Sequence, residues 1–404
     1  MAGDAIAPHG FLPASDQVPV SGLARLLHQR LAAKCTNLPT AFDLILPDGT
    51  ARRFGNGSCA FKFLLRNRRS VLAFASLDER RLAEAYFNGD FDIEGEMLSV
   101  FWLRNRVLTD RHPLLTLWQL VEPLLKGQTR LNKQAISVHY DRDASFFLQF
   151  LDPKMPLYTQ GIYERDDEPL TDACLRKLSY CFERCRLKAG DHILEIGPGW
   201  GSWFKYASER GVRCTGLSIS RASIAYLEET AQAEGYDWEL IFADILEYQT
   251  ERKYDAIIMM GVIEHLPQYE KVLAKFVSLL KPGGRIFLDG SSTASKKDVN
   301  SVVVKHIYPG NHSLLVLHEL LAAMAQTSLQ LVELFDDRHS YYLTFRQWAH
   351  NWEKNHESVV ERFGEAEYRK FLLYLWGFAH NMRTAASGCY RMIFELPSGE
   401  SAFP

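Results

Sequence analysis

The sequence predicts an α/β protein: a doubly wound, mostly parallel sheet with its last strand antiparallel and a helical insertion, preceded by a small α+β N-terminal domain. Three observations carry that expectation. His192-Ile-Leu-Glu-Ile-Gly-Pro-Gly-Trp-Gly201 runs from apolar β-type residues into three glycines, and a helical pattern follows from Ser202. After it, strand-like runs alternate with helical stretches of roughly 10 to 15 residues, the mark of parallel strands joined by crossover helices. Before it lie short strand-like runs broken by turn residues, and the polar stretch 127–133 separates the two blocks.

In order, residues 1–20 read as a flexible lead, with Pro8, Pro13 and Pro19. Leu23, Leu26, Leu27 and Leu31 then recur at helical spacing. Strand-like runs follow at 40–46, closed by Pro-Asp-Gly49, and at 60–64. An amphipathic helix begins near Asp78, with Leu82, Ala85 and Tyr86 on one face. Residues 21–125 are thus expected as the small α+β domain, 126–136 as a linker and 137–404 as the catalytic domain. The second block opens with His139-Tyr-Asp141 and an aromatic helix from Phe146, and a helical pattern from Leu170 to Leu187 leads into the glycine strand.

Strands are expected at 212–218, 238–242, 254–259 and 285–288, with helices from Ser220 to Glu234 and from Tyr269 to Leu280 between them. Residues 291–326 interrupt the pattern, which 329–335 resume. Residues 341–386 form an aromatic-rich helical lid, and Cys389 to Leu396 closes the sheet. In such a sheet the ligand crevice lies at the carboxyl ends of the strands, where the loops of Gly197, Ser218, Asp244 and Glu264 converge.

Composition narrows the function. The chain has 404 residues, 47% hydrophobic and 24% charged, with a net charge of −3, so no global basic field points to nucleic acid. Two arginine clusters, Arg66/Arg68/Arg69 and Arg104/Arg106/Arg111, could meet anionic lipid head groups or form solvated faces. The seven cysteines are scattered without a C-x-x-C, which suits reduced thiols in the cytoplasm. The N-terminal residues carry no basic, apolar leader pattern, and no run of about 18 apolar residues occurs, so contact with lipid is expected from the water side.

Glycine at 197, 199 and 201 lets the backbone approach a ligand, and free N–H groups at the helix start can donate to it. A dinucleotide is excluded. The spacing is G-x-G-x-G rather than G-x-G-x-x-G, and the second strand ends without a ribose-binding acid. Asp244 can accept from an adenine amino group or cap a helix. Glu264 and His265 follow a buried strand, where a carboxylate is costly without a role. Asp289 ends the next strand, where two neighbouring carboxyls would raise one pKa and hold a base near neutrality. The alternative for Asp289 is an ion-pair partner, Lys296 or His306. The aromatic insertion is either plain core or a set of ring faces for a developing cation.

Glu195-x-Gly197-x-Gly199-x-Gly201 resembles motif I of the class I S-adenosylmethionine (SAM) methyltransferases. The wider pattern resembles the cyclopropane-fatty-acid synthase family along nearly the whole chain. It runs through Glu84-Ala-Tyr-Phe-Asn-Gly89, Ser137-Val-His-Tyr-Asp141, Leu151-Asp-Pro153, Gly216-Leu-Ser-Ile-Ser220 and Gly261-Val-Ile-Glu-His265. It continues in Leu280-Lys-Pro-Gly-Gly284, His306-Ile-Tyr-Pro309 and Arg391-Met-Ile-Phe394.

The resemblance implies methyl transfer from SAM to the cis double bond of an unsaturated phospholipid acyl chain, followed by proton loss to bicarbonate and ring closure. By position it puts the cofactor on Tyr158, Thr159, Gly197, Gly199, Leu217, Ser218 and Asp244. It puts the bicarbonate pocket on Gln160, Glu264, Asp289, Ser291 and Tyr341. The synthases carry Cys at the position of Gln160, His at Asp289 and Gln at Ser223. An added carboxylate repels bicarbonate, so use of that anion is in doubt, and Asp289 or Glu264 is expected to take the proton. The product is then a ring, a methyl branch or a methylene branch.

The resemblance also implies peripheral association with the inner face of the membrane, a lipid-docking first domain and a homodimer. A small soluble acceptor and a non-catalytic SAM- or lipid-binding role remain the alternatives. A nucleic-acid partner lacks both a basic stripe and an Asn/Asp-Pro-Pro-Tyr/Phe motif.

Overall fold

Residues Ile193 to Ile196 are buried on both faces, as an interior parallel strand requires, and the strand they form, His192–Ile196 (β5), lies inside a seven-stranded sheet. The computed structural model describes residues 21–36, 38, 40–109, 144–294, 300–308 and 314–399. The expected lead, the linker at 126–136 and the Ser137-Val-His-Tyr-Asp141 motif lie outside the described residues. The chain divides into two compact units.

The larger unit holds, of the described chain, residues 144–294, 303–308, 314–355 and 381–399. Strand β5 pairs in parallel with Arg213–Ser218 (β6) and with Tyr254–Met260 (β8). Glu239–Phe242 (β7) extends the sheet beyond β6, and Leu280–Ser292 (β9) extends it beyond β8, both in parallel. Gly388–Glu395 (β11) runs antiparallel to β9, and Gln330–Asp336 (β10) antiparallel to β11. The order β10-β11-β9-β8-β5-β6-β7 is mostly parallel, as expected, and reverses direction of growth beside β5. A crevice opens at the strand ends there.

Helices cover the sheet with their apolar stripes. Ala144–Phe147 (α5) buries Phe146 and Phe147, and Leu170–Arg184 (α6) buries Leu170, Ala173, Cys174, Lys177, Leu178 and Cys181. Ser202–Ser208 (α7) and Arg221–Glu234 (α8) follow the first two strands. Tyr269–Leu279 (α9) packs Val272, Leu273 and Phe276 into a core with Ile257, Met259 and Leu288.

Two expectations change here. Strand β9 begins at Leu280, not Arg285, because Leu280 already pairs with Tyr254 and the register then shifts by a bulge. At Gly284 an added Cβ would lie 2.9 Å from the Lys281 carbonyl and 3.0 Å from that of Asp255, so Pro-Gly-Gly here makes a close strand approach as well as a turn. The interrupted region contains a helix, Leu317–Met324 (α10), which buries Leu320 and Ala323.

The smaller unit holds residues 21–109, 300–302 and 356–380 of the described chain. Its elements are Ser21–Lys34 (α1), Ala41–Ile45 (β1), Ala51–Phe54 (β2), Cys59–Leu65 (β3), Arg68–Ser76 (α2), Glu79–Phe87 (α3), Phe91–Gly95 (β4) and Met97–Arg106 (α4). The four strands order as β2-β1-β3-β4 over a core of stacked and edge-on rings, Phe42, Phe61, Phe63, Phe74 and Phe91. Strand β2 escapes sequence reading because Ala-Arg-Arg-Phe exposes three of its four residues. Helix α2 is held by an Asn67–Ser70 capping box, each residue bonding the other's backbone.

The expected lid at 341–386 is divided. Arg338–Lys354 (α11) stays with the seven-stranded sheet, whereas His356–Phe363 (α12) and residues 365–380 of Glu365–Arg383 (α13) belong to the smaller unit. The reason is buried polar pairing. The Arg369 guanidinium donates to the Phe91 carbonyl at 2.9 Å and to Asp92 at 2.7 Å. Among the described residues no helix is long and apolar enough to cross a membrane.

Candidate active site

The glycine turn after β5 forms one wall of a cavity open to solvent. Gly197 has a φ of +72°, and an added Cβ there would lie 2.5 Å from Val262 Cγ2. Its amide donates to the Leu217 carbonyl at 2.8 Å, drawing the ends of β5 and β6 together. Leu217, Ser218 and Asp244 line the cavity from β6 and the loop after β7, and Tyr158 and Thr159 line it from the opposite side. With Gly197 and Gly199, the structure thus gathers all the expected cofactor residues around one space. Asp244 lies on the wall, and its Oδ1 accepts from the Leu246 amide at 2.7 Å in a turn, where no helix begins for it to cap. Ser223 faces the same space and donates to the Gly199 carbonyl at 2.8 Å.

Three buried polar atoms on this wall find no partner within the described protein: Glu195 Oε2, Ser202 Oγ and Trp203 Nε1. Burial pushes the Glu195 carboxyl well above the usual carboxylate range, partly offset by the Lys177 ammonium. Such atoms suit a ligand that brings both an acceptor and a cation. His265 lies on the wall too, and burial lowers its pKa to about 4, so it stands neutral at pH 7.

Glu264 sits on a turn of 3₁₀-helix directly after β8 and is 6% exposed. Its Oε1 accepts from the Ser291 amide at 2.7 Å. The carboxyl is pushed up to about 7, first by burial and only secondarily by Asp289. The expected repulsion between the two carboxyls is therefore real but smaller than desolvation. Asp289, opposite Met260 in the sheet, is fully buried. Its Oδ1 accepts from the Gly261 amide at 3.0 Å, and its Oδ2 lies 2.5 Å from Lys177 Nζ.

Lys177 is thus the partner of Asp289, in place of Lys296 or His306; Lys296 lies outside the described residues. Sequence reading missed it, although a lysine between Cys174, Leu178 and Cys181 on the apolar stripe of α6 is a signal in itself. Gln160 is likewise fully buried and turned inward. Its Oε1 accepts from Thr159 Oγ1 at 2.7 Å, and its Nε2 donates to Asp337 Oδ2 at 3.2 Å. Asp337 pairs with Arg391 at 3.1 Å, and that guanidinium lies 4.0 Å from the Tyr180 ring centroid. Asp337 and Arg391 were also not anticipated. Ser291 joins the group through its backbone.

Tyr341 belongs to an aromatic stack. Its ring lies 4.6 Å from Phe345, and Trp348 beside it packs 5.5 Å from Tyr158. Tyr158 in turn meets Phe147, and Phe147 meets Trp200. Tyr158 and Trp200 carry the stack onto the cavity wall.

A doubly wound sheet of this order, with a glycine loop at its switch point, is the class I methyltransferase fold. Within that class the chain belongs to the mycolic acid cyclopropane synthetase family, whose model matches residues 127–392. It is 25% identical over 332 residues to a sphingolipid C9-methyltransferase of Candida albicans, covering 77% of this chain and 64% of that protein. It is 26% identical over 264 residues to a probable fatty acid methyltransferase of Mycobacterium tuberculosis, covering 64% of this chain and 61% of that protein. The chain therefore spans less than two-thirds of the length of these two relatives.

Among solved structures, the cyclopropane synthase MmaA2 from Mycobacterium tuberculosis matches with a TM-score of 0.60 at 20% identity, over 65% of this chain and 98% of that one. The mycolic acid cyclopropane synthase CmaA1, complexed with SAH and CTAB, matches with a TM-score of 0.61 at 20% identity, over the same shares. These likenesses are of fold.

Proposed function

We propose that the protein transfers a methyl group from SAM to the double bond of an unsaturated lipid chain at a membrane surface, and that Glu264 receives the proton released afterwards. The observation that carries this is Glu264 itself, a buried carboxyl bonded to the Ser291 amide one residue before the cavity wall, its pKa pushed up to about 7 by burial. When bound, SAM supplies an electrophilic methyl group. The glycine turn lets a ligand approach the backbone, and the Glu195 carboxyl, its Oε2 without a partner among the described residues, lines the same space. Tyr158 and Trp200, backed by Phe147 and Trp348, offer ring faces to a cation developing on a chain with no polar handle.

The residues at the bicarbonate positions do not fit that anion. Gln160 and Asp289 are fully buried and turn their polar atoms on Thr159, Asp337, Gly261 and Lys177. This packing supports proton transfer to a protein carboxyl. The relatives' names support a lipid chain as acceptor and a methyl branch beside the ring as product. Phospholipid acyl chains and sphingolipid chains are both acceptors to assay, with peripheral association at the inner membrane face as the setting.

The test is mass spectrometry of total lipids from a host that lacks its own cyclopropane synthase and is fed trideuteromethyl methionine. Labelled lipid is expected. Loss of one deuteron marks a ring or methylene, and full retention marks a methyl branch. Unlabelled lipid, with SAM still bound by calorimetry, overturns the lipid acceptor in favour of a small soluble one or a binding role.

A further inference from the structure

A fully buried ammonium is costly unless it is paired on every side that matters. Lys177 is fully buried and doubly held: Asp289 Oδ2 lies 2.5 Å away, and Nζ donates to Thr159 Oγ1 at 3.1 Å. Asp289 Oδ1 lies 3.1 Å from that same hydroxyl and accepts from the Gly261 amide at 3.0 Å. Thr159 and Gly261 both line the cavity. One ammonium thus ties helix α6 to two cavity-wall segments and to the end of β9.

We propose that Lys177 is a positioning residue for methyl transfer: it holds Thr159 and Gly261 on the cavity wall through Asp289, and it opposes that carboxylate's field at Glu264. The inference rests on the reading of Glu264 as proton acceptor. Asp289 and Lys177 act on Glu264 with opposite sign, the carboxylate holding its proton on and the ammonium helping it off.

Burial shifts the other titratable groups around the pair. Facing Glu264, burial holds Tyr269 up to about 12 and the Cys389 thiol well above its ordinary value. His265, its neighbour in sequence, stays neutral. On the Lys177 side, burial raises the thiols of Cys174 and Cys181. Asp337 is paired with Arg391, and burial raises both its carboxyl and that of Glu195.

Wild type, K177M and D289N are compared by two readouts. One is the pH profile of methyl transfer from labelled SAM to vesicles of unsaturated phospholipid. The other needs no turnover: carbon-13 NMR titration of the Glu264 carboxyl, assigned with E264Q. K177M is expected to move the acid limb and the carboxyl titration upward by on the order of one pH unit, and D289N to move both downward. A merely structural pair slows both variants without moving either curve. If K177M fails to fold, the downward shift in D289N decides alone. Titrations that stay at wild-type values, or move the same way in both folded variants, overturn the proposal. Opposite shifts in a protein that methylates no lipid leave the Lys177 field standing and overturn the assigned reaction instead.

Discussion

Glu264 Oε1 accepts a hydrogen bond from the Ser291 amide at 2.7 Å, bridging the turn after β8 to the end of β9. At Gly290, one residue before that amide, an added Cβ would lie 3.0 Å from the Glu264 carboxyl, so the strand passes directly against the acid. Its burial lifts the pKa from the ordinary 4.5 to about 7.

A pKa raised by folding means that the folded state keeps its proton longer than the unfolded chain does. The associated stability is complete below about pH 4.5 and is lost as pH rises through about 7. E264Q, which cannot ionise, should therefore match wild type in acid and exceed it at pH 8 by on the order of 3 kcal/mol. Urea unfolding at both pH values checks this. The same variant should lose methyl transfer by about 100-fold or more, read as labelled lipid formed per enzyme.

Glu195 predicts a pH dependence of cofactor binding. Burial raises the Glu195 carboxyl well above the usual carboxylate range and its Oε2 finds no partner among the described residues, so a cation bound beside it would favour release of its proton. SAM should bind more tightly as pH rises, with protons released in calorimetry run in buffers of different ionisation enthalpy. E195Q should weaken binding by about tenfold or more and flatten the pH dependence. Proton release that persists in E195Q would assign it elsewhere.

Gly197→Ala meets two separate obstacles, a φ of +72° and Val262 Cγ2 at 2.5 Å. The expected loss is about 1–3 kcal/mol of stability together with SAM affinity. Adding Val262→Ala removes the contact but not the backbone strain, so the double variant should recover part of the thermal stability. Full recovery would show that the backbone conformation costs nothing.

Methyl transfer should continue unchanged when bicarbonate and carbon dioxide are removed, because Gln160 and Asp289, at positions that would hold the anion, turn their polar atoms on Thr159, Asp337, Gly261 and Lys177. Replacing Gln160 with Cys and Asp289 with His should introduce bicarbonate dependence. Unchanged product and unchanged dependence in that variant would sink the idea.

The central strands and the glycine turn were legible because their signals are local. A parallel strand buried on both faces reads as a near-continuous apolar run, and a turn with positive φ reads as glycine. Strand β2 was not legible, since its register comes from pairing with β1 rather than from alternation in Ala-Arg-Arg-Phe. The start of β9 was hidden because Pro-Gly-Gly favours a turn, and only the bulge opposite Tyr254 lets the strand pass through it.

By itself, the sequence determined the α/β class, the switch-point crevice and the residues that meet there, from Gly197 to Asp244. Periodicity and turn chemistry act over a few residues, and each leaves its mark in the chain. Only the tertiary structure decided that Asp289 answers to Lys177, that Gln160 turns toward Asp337, and that residues 356–380 join the smaller unit through Arg369. An ion pair in a low-dielectric interior is chosen by whichever opposite charge the fold brings within a few ångströms. Spacing along the chain does not record that neighbour, and here it sits on a different element each time.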